Sequence, residues 1–492
     1  MKKKISTKPP KHPDWRMSRK EKFWYYFSEV CRFNECMLIP NYMNLFLIFQ
    51  KVDLTVVALI TLIVKVVDAL DDVAFGFIVD RFNPTRSRLL SKIAGQGKYL
   101  PWIRCTLLLF PLCTALFFVM PGSLSQTAKL VWFTVFYLLY DLTYTIVDVP
   151  VQGMIVTLTE IPEERNSILT TKIILGTVST FGLGALWTYL ISEHVGMSLT
   201  TMALLFTGIF TVGMLPIAFK VKEHNVQMKN TEETNEEKYT LKDMFHALKI
   251  NKYYNVMILS SAVSGCLATG SAISLFVSFY LYGDSTIMVL PAMLALIPTL
   301  LIQSFAPKLC GKYGNRKTAI IGAFLAGALN LIIFFLGYSR IGAIIAVTIA
   351  TAAPTALNTM AKTYMIPDCV EYAKYKTGKD TAGIFVSINS FLNKISSSIA
   401  SSLGLLLLGL FGWVSVNAES FADLAAQNVI QPQSALNGLW ILNAGIPALG
   451  VILAGIFLLF YRLDDKDAKL MARYNAGELT REECERQMSR KY

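Results

Sequence analysis

The feature that most limits this chain is a succession of long apolar runs, each near the ~20 residues an α-helix needs to cross a bilayer. Such windows fall at 23–50, 54–80, 101–121, 129–158, 168–192, 198–219, 253–282, 285–309, 318–338, 341–372, 381–411 and 438–462. They predict twelve membrane-crossing helices. Composition agrees, since AVILMFWYC make up 53% of the 492 residues and only 16% are charged, against roughly 25% charged in an ordinary soluble protein. A water-soluble domain, a disordered chain and an outer-membrane barrel of ~10-residue alternating strands are excluded. The expected class is an all-α, multi-pass membrane protein. Pro291 and Pro298 interrupt the eighth window, which neighbouring helices can accommodate by satisfying the freed carbonyls.

Orientation follows from the basic residues. The N-terminal tail carries Lys2, Lys3, Lys4, Lys8, Lys11, Arg16, Arg19, Lys20 and Lys22, and every second connection after it is basic: 81–104, 165–172, 220–252, 308–317 and 374–379. The alternate connections hold only Lys51, Lys129 and Arg340. The positive-inside rule therefore places both termini in the cytoplasm. The net charge of +12 reads as a topogenic signal spread over loops, so no nucleic-acid partner is expected. A polar stretch precedes a first apolar run too long for a signal-peptide core, so the first helix is expected to be retained. Eight cysteines and four histidines are scattered without metal-ligand spacing. No Walker sequence and no nucleophile–base pair is present, so an enzyme, a resident cofactor and ATP-driven pumping have no support.

The segment 220–252 is the most polar internal stretch. It divides the chain into a basic tail (1–22), a six-helix half (23–219), the linker itself, a second six-helix half (253–462) and a charged, helical C-terminal tail (463–492). Gly76, Asp80, Arg81, Arg86 and Arg88 after the second window are echoed by Gly311, Gly314, Arg316 and Lys317 after the eighth. Two such halves related by a pseudo-twofold along the membrane normal, with a substrate cavity between them, form the major-facilitator architecture.

Charges at membrane depth cost several kcal/mol unless paired or wet, so each marks a functional candidate. The second window carries Asp68, Asp71 and Asp72. Positions 68 and 72 share a helix face with Cβ atoms ~6 Å apart, and two bare carboxylates at that distance repel by about 3 kcal/mol at an effective dielectric of ~20. A proton, a sodium ion or a lysine must sit between them. The fourth window adds Asp141, Thr145, Asp148 and Gln152 at offsets of four, three and four, one polar stripe on an apolar helix. The first window contributes Glu29 and Arg32, placed to pair at i,i+3 near the cytoplasmic end, and Glu35 deeper in. In the second half Lys394 is read as the only basic residue near mid-span. The expected cavity is lined by Glu35, Asp148, Gln152 and Lys394. The pseudo-twofold also predicts a cytoplasmic gate between Arg165 and Asp368 or Glu371, against the alternative that Arg165 caps its own loop.

Asp68-Ala-Leu-Asp-Asp72 with Gly76, Asp80-Arg81, Ser87-Arg88 and Gly97-Lys98-Tyr-Leu-Pro101-Trp102 resembles the second-helix signature of the glycoside-pentoside-hexuronide:cation symporters, the melibiose carrier family. Thr143-Tyr-Thr-Ile-Val-Asp148-Val-Pro150 with Glu164-Arg165 resembles that family's fourth helix. Pro367-Asp-Cys-Val-Glu371 through Lys379 and on to Lys394 resembles its tenth-to-eleventh connection. The resemblance spans about 24–460. It implies a coupling-cation site for sodium or a proton at Asp68, Asp71, Asp72 and Thr145, with Lys394 as its cationic neighbour. It also implies Asp148, and Glu35 where the family often has Asp, as hydrogen-bond acceptors for sugar hydroxyls.

The departures bear on substrate. Gln152 stands where melibiose carriers place a ring-stacking tryptophan, and their sugar-side arginine falls on Ile173 or is replaced by Lys172. Asp71 stands in place of an asparagine and adds a third acid, a reason to favour protons. The expectation is a monomeric secondary transporter of the bacterial inner membrane, taking up a glycoside or related sugar with sodium or protons by alternating access. The alternatives are a carrier of a non-sugar polar or amphiphilic, lysolipid-like solute, and, from another class, a transporter-fold sensor or an intramembrane enzyme.

Overall fold

The computed structural model describes residues 15–65, 67, 97–159, 161–224, 249, 251–378 and 382–490. Among these, ten helices are long and apolar enough to cross a membrane, and a shorter apolar helix runs over Leu54–Lys65. In chain order the helices are α1 (Arg19–Phe49), which is more charged and not among those ten, α2 (Leu54–Lys65), α3 (Leu100–Thr106) continued by α4 (Leu109–Phe118), α5 (Gln126–Leu158), α6 (Pro162–Ile191) and α7 (Leu199–Lys220). Then come α8 (Lys252–Cys266), α9 (Ser274–Tyr282), α10 (Val289–Tyr313), α11 (Asn315–Leu336), α12 (Ile341–Thr377), α13 (Ala382–Leu410), the short α14 (Phe421–Gln427), α15 (Gln433–Trp440) and α16 (Ile446–Leu459). The charged tail forms α17 (Asp465–Asn475) and α18 (Arg481–Gln487).

Several bounds differ from the sequence windows because polar caps, not hydropathy, end the helices. The hydroxyl of Ser18 accepts from the Glu21 amide and starts α1 four residues before the first window; Ser125 and Ser198 cap α5 and α7 in the same way. Gly378, in the left-handed region, ends α12 after Thr377. The seventh window is one apolar run but two helices. Between α8 and α9 lies a 3₁₀ turn, Thr269–Ala272, where the Thr269 hydroxyl donates to the Leu442 carbonyl at 2.6 Å. A Cβ on Gly270 would meet Asn443 at 2.9 Å, so glycine lets this break seat against the π turn Ile441–Gly445 that joins α15 to α16.

Packing is mostly local to each side of the segment 225–248. α1 packs on α6 and α7, and α5 on α3 and α4; later in the chain α12 packs on α10, α11 and α17, and α8 on α13 and α16. Large apolar side chains line the outside, among them Val212 at 68% and Phe335 at 79% exposure, as suits helices solvated by lipid rather than water.

Candidate functional site

A chain of alternating charges links α1, α5 and α6. Arg32, only 3% exposed, places Nε 2.9 Å from Glu29 Oε1 and Nη1 2.6 Å from Asp148 Oδ1. Lys172 on α6 sets Nζ 2.6 Å from the other Glu29 oxygen, and the Gln152 amide donates to Asp148 Oδ2 at 3.2 Å. Two acids and two bases compensate one another, as buried charges must. Because α1 starts at Arg19, Arg32 lies near the middle of the helix and not near its end, about 20 Å along it. Asp148 and Lys172 stand at the solvent-reached ends of this chain, with side chains 19% and 17% exposed.

One helical turn apart on α5 stand the remaining members of the stripe, of which Asp141 meets α2. Asp141 accepts from Lys65 Nζ at 2.8 Å, and Thr145 is buried on the same helix. Asp68, Asp71 and Asp72 lie outside the described residues.

Of the predicted substrate residues, the structure brings Asp148, Gln152 and Lys172 together and leaves Lys394 half-buried on α13. Glu35 departs from expectation. It is fully buried, beside Thr114 of α4 and Thr207 of α7. Six residues turn an α-helix by about 240°, which carries position 35 away from the face that presents Glu29 to Lys172. The sequence left Ile173 and Lys172 as alternatives for one cationic role. Ile173 is 65% exposed on the apolar outside, and Lys172 is the residue that reaches the charged cluster.

Arg32 as the partner of Asp148, and Lys65 as that of Asp141, escaped the sequence reading. Both were visible there as basic residues inside apolar windows. Lys394 is also not alone among basic residues at depth in the second half: Lys362 lies part-buried within α12. The predicted gate residues stand apart, each held by its own half. Arg165 Nη2 donates to the Thr159 carbonyl at 3.3 Å, Asp368 accepts from Asn315 Nδ2 at 2.9 Å, and Glu371 accepts from Asn475 Nδ2 at 2.7 Å.

The ends of the molecule differ. At the end holding Phe49 the halves are joined: the Ala418 amide donates to the Phe49 carbonyl at 3.0 Å and the Leu199 amide to that of Glu419 at 2.8 Å. Asn44 Nδ2 donates to Ser401 Oγ at 2.9 Å, and the Phe49 ring meets those of Phe276 and Phe421. At the end holding Arg19, Lys22–Glu164 and Glu21–His224 tie one half together and Asp465–Asn315 the other.

The model of the MFS/sugar transport protein family matches residues 36–465. The chain belongs to that family. It is a transporter with the major-facilitator fold, a multi-pass membrane protein and not an enzyme. Among similar proteins, an isoprimeverose transporter of Lactiplantibacillus pentosus is 26% identical over 466 residues, covering 92% of this chain and 90% of its own. A glucuronide carrier protein homolog of Escherichia coli K12 is 25% identical, covering 83% and 84%. Among solved structures, a D-xylose-proton symporter superposes with a TM-score of 0.58 at 11% identity, over 89% of this chain and 97% of that one. The D323A mutant of the nucleoside transporter NupG gives 0.59 at 12% identity, over 89% and 99%. At such identities the structural likeness carries the fold alone.

Proposed function

We propose that this protein is a cation-coupled secondary transporter of a glycoside or related sugar, working by alternating access with sodium or protons as the coupling ion. The observation that carries the reading is the Lys172–Glu29–Arg32–Asp148 chain. Its acceptor Asp148 is reached by solvent, and among the described residues its Oδ2 is held by Gln152, at the long distance of 3.2 Å. A carboxylate so placed can exchange the amide for two adjacent sugar hydroxyls, with Arg32 keeping it oriented. The names of the relatives support the same class of solute.

In this reading twelve helices form two six-helix bundles, 23–219 and 253–462, joined by the linker 220–252 and flanked by tails 1–22 and 463–492. Both termini lie in the cytoplasm of a bacterial inner membrane, as the basic residues at that end favour, and the protein works as a monomer. The joined end is then extracellular, and the structure is the inward-facing state. Closing the cytoplasmic end brings Arg165 to Asp368 or Glu371, each exchanging its present partner. Asp68, Asp71, Asp72 and Thr145 hold the cation near Lys394, and substrate meets Asp148, Gln152 and Lys172. The deciding experiment is uptake into right-side-out vesicles under imposed sodium or proton gradients, against a panel of glycosides, pentosides, hexuronides and lysolipids. Gradient-dependent accumulation of a sugar is expected; accumulation of lysolipid alone, or of nothing in the panel, overturns the reading.

A further inference from the structure

The end that holds Phe49 brings together a histidine and two carboxylates that are far apart in sequence. Glu193 and His194 follow α6, and Asp284 follows α9 in the second half of the chain. Their ligand atoms all lie within 4.8 Å of one another, with His194 Nε2 3.5 Å from Asp284 Oδ1 and 3.9 Å from Glu193 Oε1. Four ligands at ~2.05 Å around tetrahedral zinc stand about 3.3 Å apart, so closure on a metal asks for shifts of well under an ångström along these two edges.

The groups around the three side chains already orient them. The Ser285 amide and hydroxyl donate to the two Glu193 oxygens at 2.9 and 2.7 Å. The Thr286 amide and hydroxyl donate to Asp284 Oδ1, each at 2.7 Å. His194 stacks on Tyr189 with ring centroids 6.4 Å apart. Carboxylates fixed in this way are what a metal ligand set needs in its surroundings; each Glu193 oxygen keeps a lone pair, and Asp284, whose Oδ1 accepts both Thr286 bonds, offers its Oδ2.

We propose that Glu193, His194 and Asp284 form a binding site for a divalent transition metal of the zinc class that bridges the two halves, so that the bound metal holds this end of the molecule closed. Two ligands come from one side of the segment 225–248 and one from the other, so the complete set exists only while the ends of α6 and α9 are adjacent. A metal that binds one conformation better than another shifts the population toward it by that difference in affinity. With water or solute oxygen in a fourth position, the ion acts as a removable latch on alternating access. The placement of the two halves rests on the reading given above, but metal binding itself does not require transport.

The test uses purified full-length protein in detergent, with its melting followed by intrinsic fluorescence during titration with ZnCl2. The wild type is expected to melt at higher temperature as zinc rises. His194→Ala and the conservative Asp284→Asn should each need at least about tenfold more zinc for the same shift. His194 is 48% exposed, so its loss leaves folding intact, and the second variant guards against a local defect. Phe49→Ala loosens the joined end without touching a ligand and should weaken zinc as well, by reciprocity of linked equilibria. No zinc effect in the wild type, or a response in both ligand variants as strong as the wild type's, as if zinc sat on the part-exposed thiols of Cys105 or Cys266 instead, overturns the site. Unchanged zinc response in Phe49→Ala overturns the latch.

Discussion

Arg32 Nη1 lies 2.6 Å from Asp148 Oδ1 across α1 and α5, while Arg32 Nε holds Glu29 on its own helix at 2.9 Å. One guanidinium thus serves two carboxylates, which separates the effects of removing either end. Arg32→Ala leaves Asp148 without its guanidinium and the buried Glu29 with Lys172 alone, and is expected to destabilise the fold by about 3 kcal/mol. Asp148→Ala leaves Arg32 paired with Glu29 and should melt close to the wild type. Its cost falls on the solute, with a loss of about 1.5–3 kcal/mol, or ten- to hundredfold in affinity, if Asp148 accepts solute hydroxyls. Melting curves and substrate binding on the two variants check the pair. Unchanged affinity in the Asp148 variant removes it from the site.

Lys172 and Ile173 are adjacent in sequence and opposite in fate. Lys172→Ala leaves Oε2 of Glu29, a residue itself only 2% exposed, with the long 3.3 Å bond from Arg32 Nη2, and should lower transport at least about tenfold. Ile173→Ala changes an outward-facing side chain and should stay within about 0.5 kcal/mol of wild-type stability with near-normal transport. Initial rates of uptake, normalised to protein in the membrane, distinguish them. A larger defect at Ile173 means that the helix faces the other way in the working protein.

What was legible in the sequence follows from which forces act locally. Hydropathy placed the helices, because lipid demands an apolar run wherever the backbone crosses. It missed the break at Thr269–Ala272, since that break is stabilised from outside the run, by the Leu442 carbonyl. The stripe on α5 was legible because offsets of three and four mark one face, and Asp148 and Gln152 do contact each other. Its partners were not, because Arg32 stands 116 residues from Asp148 and nothing in the spacing of α1 says which of its faces meets α5. The same ignorance of rotation put Glu35 in the cavity rather than beside Thr207.

The gate makes a prediction through residues that do not touch here. Arg165 and Asp368 each have a modest partner, at 3.3 and 2.9 Å, which a carboxylate–guanidinium pair could replace when the halves close over them. Arg165→Glu and Asp368→Arg should each slow transport, and the double variant should recover part of the loss, because the swapped charges still attract. The coupling is measured as a double-mutant cycle on uptake rates. Additive losses, with all proteins normally expressed, dissolve the pair.

The coupling site depends on helix neighbours that are partly in view. Lys65 reaches Asp141 at 2.8 Å, so α2 meets α5 at the level just before Asp68, and Thr145 follows Asp141 by one turn on the facing helix. Asp68 and Asp72 stand three and seven residues beyond Lys65 in the sequence, offsets that share one face in a helical repeat. A proton or sodium ion there relieves the repulsion of about 3 kcal/mol between them. Oxygen ligands suit a hard cation, and Thr145 adds a hydroxyl to the two carboxylates. Coupling follows if the empty, doubly charged site draws Lys394 and disfavours the substrate-ready arrangement, which the bound cation restores. Asp68→Cys and Asp72→Cys, assayed for energised uptake and for counterflow, should lose accumulation while solute exchange survives at least in part. If both variants still concentrate solute against its gradient, the cation binds elsewhere.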